Sequence, residues 1–220
     1  MQLVFFLTQS LLLPYIKEVI NLVCRFLAIE SIAEHIFGVQ MLAIAMKSEY
    51  QYDIDICANS EEQARTSFDE IFNILENPKW TKKLKKFFRW TRTEIENLAT
   101  KSKIKYRTNN PKGKDGLRSG KVDFDEPHAY ENWENINVFT TGLGKKKHPR
   151  RTYISTNGDV RGAVLDQLIE KSEKILKGEI PDNGFLPFIC KLDSVDEVHD
   201  EKNWEKANPS LPYLPTLKDQ

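Results

Sequence analysis

Apolar and polar positions alternate with period two at YDIDICAN (residues 52–59), where Tyr52, Ile54 and Ile56 interleave with Asp53 and Asp55. That spacing is the mark of a strand. It returns at KIKYRTN (103–109). Between the two the period becomes helical: Ala64, Phe68, Ile71, Phe72 and Leu75 fall on one stripe. Ser60 and Gln63 stand at capping-box spacing before it, and Asn77-Pro78 should end it, because proline disfavours helical geometry in the residue before it. A second helix is expected from about Trp80 to Ala99, with Trp80, Leu84, Phe87, Phe88, Ile95 and Leu98 inward and Lys82, Lys83, Lys86 and Arg89 largely outward.

Downstream, NPKGKDGLRSGK is a Gly/Pro/Lys turn region before a short apolar run, Val122 to Phe124. NINVFTTGLG reads as a short helix closed by glycine, RRTYISTNG as a strand ending in a polar turn, and Val164 to Leu176 as a helix stopped by Gly178. FLPFICKLD (185–193) is a last strand. Strands alternating with helices predict an α/β fold with a mostly parallel central sheet flanked by helices. Residues 1–45 form an apolar N-terminal segment with no matching pattern, expected to be helical. NPSLPYLPTLKDQ, with three prolines, reads as a linker over 206–220.

The formal net charge of zero conceals a segregation: residues 82–121 hold fourteen Lys/Arg against three Asp/Glu, and 191–206 hold six acids against three bases. A basic surface is therefore available for a polyanion. Cys24, Cys57 and Cys190 are odd in number and widely spaced, which argues against a disulfide framework or a zinc site. The first sixteen residues are uncharged but lack the basic start of a signal peptide. Lys17, Glu18, Arg25, Glu30 and Glu34 interrupt the later apolar runs, so no membrane span is expected.

Chemistry concentrates in VDFDEPHAY (122–130), where an apolar run ends in Asp125 and Glu126. An acid delivered to the carboxyl end of a buried strand is placed to hold Mg²⁺ through water, and its neighbour to orient and deprotonate an attacking water. The same residues also suit an ordinary acidic turn.

A longer pattern bears on the choice. GLRSGKVDFDEPHAYENWENINVFTTGLGKKKHPRRTYISTNGDVRGAVLDQLIEKSEKILKGEIP, then LPFICKLDSVDEVHDEKNWEKANPSL, resembles the ATPase domain of the large terminase subunit of tailed bacteriophages. CANSEEQARTSFDEI (57–71) resembles a segment upstream in that family, and the likeness runs over about residues 45–215. It implies an incomplete P-loop NTPase fold of the RecA-like (ASCE) kind, with the family's ATPase domain over 46–205. Asp125 would match the magnesium-associated aspartate of the second nucleotide motif and Glu126 the catalytic glutamate. Ser155, Thr156, Asn157 and Gly158 would match the coupling motif, and Arg118 is the nearest fit to an arginine acting in trans on a neighbouring subunit. ATP and Mg²⁺ are the cofactors the resemblance implies. It likewise implies double-stranded DNA, a portal protein and a small terminase subunit as partners, a homo-oligomeric ring in the complete protein, and the host cytoplasm as location.

One part of that pattern is not found. A phosphate loop needs GxxxxGK followed by Ser or Thr, so that glycine backbone can wrap the phosphates. Residues 1–112 contain one glycine, Gly38. In Gly142-Leu143-Gly144-Lys145, Phe139 replaces the first glycine and Lys146 the hydroxyl residue. The expectation is a central fragment of a larger enzyme that hydrolyses ATP poorly or not at all alone, with a nuclease domain beyond the linker. Two other readings stay open: a DExH helicase fragment, since Asp125-Glu126-Pro127-His128 fits that box, and a non-catalytic DNA-binding or assembly remnant.

WTKKLKKFFRWTR (80–92) and GKKKHPRR (144–151) are the basic segments suited to a phosphate backbone. In the first, aromatics at helical spacing fit a core and lysines its solvated face. In the second, Lys145, Lys146, Lys147, Arg150 and Arg151 have no apolar pattern to explain them and are the DNA-binding candidates. His128 follows the doublet and is placed to sense the nucleotide; no histidine spacing suggests a metal cluster.

Overall fold

The computed structural model describes residues 3–8, 49–108, 118–209 and 211. Its elements are β1 (Leu3–Thr8), β2 (Ile54–Ala58), α1 (Glu61–Glu76), α2 (Thr81–Leu84), β3 (Phe88–Trp90), β4 (Ile95–Asn97), β5 (Lys103–Thr108), β6 (Lys121–Asp125), α3 (Glu134–Thr141), β7 (Arg150–Ser155), α4 (Val164–Leu176), β8 (Phe185–Cys190) and α5 (Trp204–Ala207). They build an eight-stranded sheet in the order β3-β4-β5-β2-β6-β7-β1-β8. β5, β2, β6 and β7 are parallel neighbours, β3 and β4 add an antiparallel hairpin at one edge, and β1 lies antiparallel between β7 and β8.

Helices cover both faces, as a parallel sheet requires. On one face α1 sets Phe68, Ile71 and Leu75, each without exposed surface, against Tyr52, Ile54, Ile56 and Ile104. Burying a side chain of that size is worth roughly 2 kcal/mol, so this stripe holds the helix on the sheet. Its start is fixed by Ser60, whose Oγ accepts from Gln63 N while the Gln63 side chain accepts from Ser60 N. On the other face α3 and α4 bring Ile136, Phe139, Val164, Leu165 and Leu168 against Val122, Phe124 and Tyr153. Phe124 and Tyr153 stack at 5.1 Å between ring centroids.

β6 has two unlike faces. Val122 and Phe124 enter the α3/α4 core, whereas Lys121 and Asp123 turn to the other side, buried as an ion pair of 2.8 Å. Neither charge has a water surface to turn to, so each depends on the other.

The expected helix over Trp80–Ala99 is not formed. α2 spans four residues, and the chain then enters the β3–β4 hairpin. Bulky and β-branched residues from Phe87 to Thr93 favour an extended chain. Thr91 shapes the turn, its N donating to Glu94 O at 2.8 Å and its Oγ1 accepting from Glu94 N at 3.2 Å. Phe88 and Ile95 go inward, but Trp80 and Phe87 stay 44% and 43% exposed. At the N-terminus, Leu3–Thr8 is a strand where a helix was expected; residues 9–45 of that expectation lie outside the described residues. The linker expected over 206–220 falls mostly outside them too. Among the described residues, no helix is long and apolar enough to cross a membrane.

Candidate active site

Parallel strands deliver their carboxyl ends to one edge of the sheet, and crevices there receive ligands in open α/β folds. Asp125 ends β6, Ser155 ends β7, and the ladder pairs Asp125 with Ile154. The two sequence-predicted motifs, thirty residues apart, are thus neighbours. Glu126 N donates to Ile154 O at 2.8 Å, and Glu126 itself adopts a left-handed backbone, φ 50° and ψ 56°. A residue before proline is normally held to extended geometry. Such strain costs on the order of 1–3 kcal/mol and is kept where the surroundings enforce it.

That turn aims the Glu126 side chain back at the end of β7. Its Oε2 accepts from Thr156 N at 3.1 Å and lies 3.2 Å from Ser155 Oγ and 2.8 Å from His128 Nδ1. Ser155 Oγ also donates to Thr156 O at 2.7 Å. Asn157 and Gly158 continue the turn, bound by Arg161, whose guanidinium reaches Asn157 Oδ1 at 3.3 Å and donates to Gly158 O. Gly158 meets His128 so closely that a Cβ there would stand 2.4 Å from the ring.

Asp125 is bound from the opposite face. Ser67 on α1 donates to Asp125 Oδ2 at 2.7 Å. Burial pushes the Asp125 carboxyl up to about 6, the Ser67 hydrogen bond opposes the rise, and the Glu126 charge adds to it. Buried Asp123 is shifted upward as well, by desolvation that Lys121 partly offsets.

A carboxylate and a hydroxyl are the hard oxygen donors that Mg²⁺ takes, so Asp125 with Ser67 fits the metal half of a nucleotide site. Nothing among the described residues fits the phosphate half. Gly142 has φ −69° and Leu143–Lys145 is a short 3-10 turn leading towards the amino end of β7, the wrong edge for a cradle. No group of three or more His, Cys, Asp or Glu side chains among the described residues is arranged to hold a metal ion without further ligands.

Other sequence candidates are placed elsewhere. Arg118 is exposed and precedes β6 at the amino edge, at the far end of the strand from Asp125. Within one chain the two are not brought together. The basic segment 144–151 lies at that amino edge and is partly committed to structure. Lys146 Nζ donates to Gln51 O at 2.6 Å and Arg150 donates to Tyr52 Oη at 3.2 Å. Arg151 lines a cavity of about 440 Å³ with Lys171 and Phe185. Lys145 and Lys147 remain exposed.

Sequence reasoning missed Ser67 and Arg161. Ser67 lies three residues after Ala64 and four before Ile71, a polar residue on an apolar stripe, and that position was its only signal. Arg161 follows the 155–158 turn in a loop and carries no periodic signal at all.

Comparison with known proteins bears on the family and the fold. The family model described as "Terminase large subunit, ATPase domain" matches residues 30–174. The match starts inside the segment expected to lie outside the family. The terminase large subunits of Lactococcus phage p2 and Lactococcus phage SK1 are each 27% identical over 164 residues, 73% of this chain. The chain spans about 30% of the length of these relatives. The crystal structure of the HK97 bacteriophage large terminase is similar in fold, with a TM-score of 0.73 at 20% identity over 87% of this chain and 40% of that one. With more than half of its length matched by the family model, the chain belongs to the family of terminase large subunit ATPase domains.

Proposed function

We propose that this chain is part of the ATP-driven motor that packages double-stranded DNA in tailed bacteriophages. It supplies the Mg²⁺-holding and water-activating half of the nucleotide site. One observation carries the reading: the Glu126 carboxylate lies against Ser155 and Thr156, so the residue suited to activate water is bonded to the segment suited to report on the nucleotide. Asp125, with Ser67 beside it, would hold the metal, and Mg²⁺ would neutralise charge on the transferred phosphoryl group. Glu126 would orient water and take its proton. Thr156, Asn157 and Gly158 would pass the change at Glu126 into α4, which begins at Val164.

Arg118 would act on the site of a neighbouring copy in a homo-oligomeric ring, the arrangement in which an arginine at the opposite edge is useful. Lys145 and Lys147, with Lys146, Arg150 and Arg151 behind them, would follow the DNA backbone without reading bases. The portal protein and the small terminase subunit are its expected partners in the cytoplasm of the bacterial host. With no phosphate cradle among the described residues, turnover by the chain alone should be negligible, because positioning of the γ-phosphate supplies much of the rate.

Mn²⁺, a paramagnetic substitute for Mg²⁺, tests the assignment. With ATP present it should broaden the resonances of Asp125 and Ser67, and Asp125→Asn should remove the effect. No broadening at millimolar Mn²⁺ would count against the metal role. Steady ATP turnover lost in Glu126→Gln would show that the chain has a phosphate site of its own and would overturn the expected inactivity.

A further inference from the structure

His128 sits between Glu126 and the Ser155–Gly158 turn. Its Nδ1 lies 2.8 Å from Glu126 Oε2 and 3.1 Å from Ser155 Oγ, and its ring packs against Gly158. The protonation of that nitrogen follows from its neighbours. Ser155 has one hydroxyl hydrogen, and its shortest acceptor is Thr156 O at 2.7 Å. Towards the ring, Ser155 Oγ is therefore an acceptor. A carboxylate oxygen is an acceptor as well. With two acceptors facing it, a bare Nδ1 would set lone pair against lone pair, so Nδ1 carries the hydrogen.

The contacts of Glu126 are also lopsided. Thr156 N, Thr156 Oγ1 and His128 Nδ1 all address Oε2, and among the described residues Oε1 has no such contact. One oxygen is tied to the coupling turn and the other faces away from it. We propose that His128 is a positioning residue for Glu126. Held as the Nδ1–H tautomer, it fastens Oε2 to the Ser155–Gly158 turn and leaves Oε1 to receive the proton of the attacking water. Glu126, His128 and Gly158 then move as one unit, since displacing the carboxylate displaces a ring on which the glycine is closely packed. The inference rests on Glu126 being the water-activating group.

The test reads the tautomer directly. Long-range ¹H–¹⁵N correlation spectra of the full chain with ¹⁵N-labelled histidine, taken where imidazole is neutral, distinguish the protonated ring nitrogen from the bare one. His128→Gln assigns the His128 signals among the four histidines. The expected result is hydrogen on Nδ1. Glu126→Gln, which keeps the size of the side chain, can offer an amide hydrogen and should make the two nitrogen resonances trade places or average. Gly158→Ala should also unlock the tautomer by pushing the ring away. Hydrogen on Nε2 in the unmodified protein would overturn the proposal, as would an Nδ1–H signal unmoved by both substitutions. An Nδ1–H signal that responds, together with absent Mn²⁺ broadening, would uphold the lock while removing the metal role.

Discussion

Ser67 and Asp125, fifty-eight residues apart in sequence, share a 2.7 Å hydrogen bond across the contact between α1 and β6. The hydroxyl is a donor to a largely buried carboxyl, so Ser67→Ala leaves that oxygen without its partner. Losing such a bond costs about 1–3 kcal/mol. Urea denaturation should show the cost above pH 7 and a smaller one at pH 5, where the carboxyl is protonated. Equal costs at both pH values would mean that Ser67 serves packing alone.

Asp125 itself makes stability depend on pH. Its folded-state value of about 6 stands above the ordinary 3.8, so the folded protein binds the proton more tightly than the unfolded chain. The contribution is fully present below about pH 4 and is lost as pH rises through 6, amounting to up to about 3 kcal/mol. Asp123 slopes the same way. The difference between the native protein and Asp125→Asn, followed by denaturation from pH 4.5 to 7.5, isolates Asp125. The native protein should lose stability over that range and the variant should lose less.

Gly120 leaves room for Tyr52, and an added Cβ would stand 2.3 Å from the ring. The ring is held in place, because Tyr52 Oη donates to His148 O at 2.6 Å and accepts from Arg150. Gly120→Ala should therefore destabilise by about 1–3 kcal/mol, read as a lower denaturation midpoint with an unchanged slope. It should also loosen the 144–151 segment, visible as faster amide exchange there.

Lys145 and Lys147 are the members of the basic segment least committed to the fold. If both meet phosphates, Lys145→Ala/Lys147→Ala should reduce the slope of log affinity against log salt by about 2 for a duplex of arbitrary sequence, close to 0.9 for each contact. Fluorescence anisotropy across a salt series measures it. An unchanged slope, with Lys82→Ala/Lys83→Ala lowering it instead, would move the DNA surface to the β3 edge.

Where pattern and packing coincide, the sequence was legible. The Ser60–Gln63 box, the stripe from Ala64 to Leu75 and the Gly178 stop all appear as read, the last with φ 74°. The doublet and the 155–158 turn were recognisable because each ends a strand, and parallel strands end at one edge. The hairpin at 88–97 was not, because Trp80, Phe87 and Leu98 happen to repeat at helical spacing while all three stay at the surface. Polar positions on β6 were hidden for another reason: Lys121 and Asp123 are buried as a pair, and a pair cannot be seen one residue at a time. Ser67 and Arg161 reach the site through tertiary contacts that no local window contains.

The reversed strand β1 has a consequence for how the molecule is made. Its partners Arg151–Ser155 and Phe185–Cys190 are synthesised more than a hundred residues after it. At about 5–20 residues per second, the uncharged LVFFLT segment waits on the order of ten seconds before either can pair with it. Such a segment is prone to self-association while it waits. Yet among the described strands β8 pairs with the sheet only through it, so a strand made well before its partners is among the last to be locked in, and that edge cannot close without it.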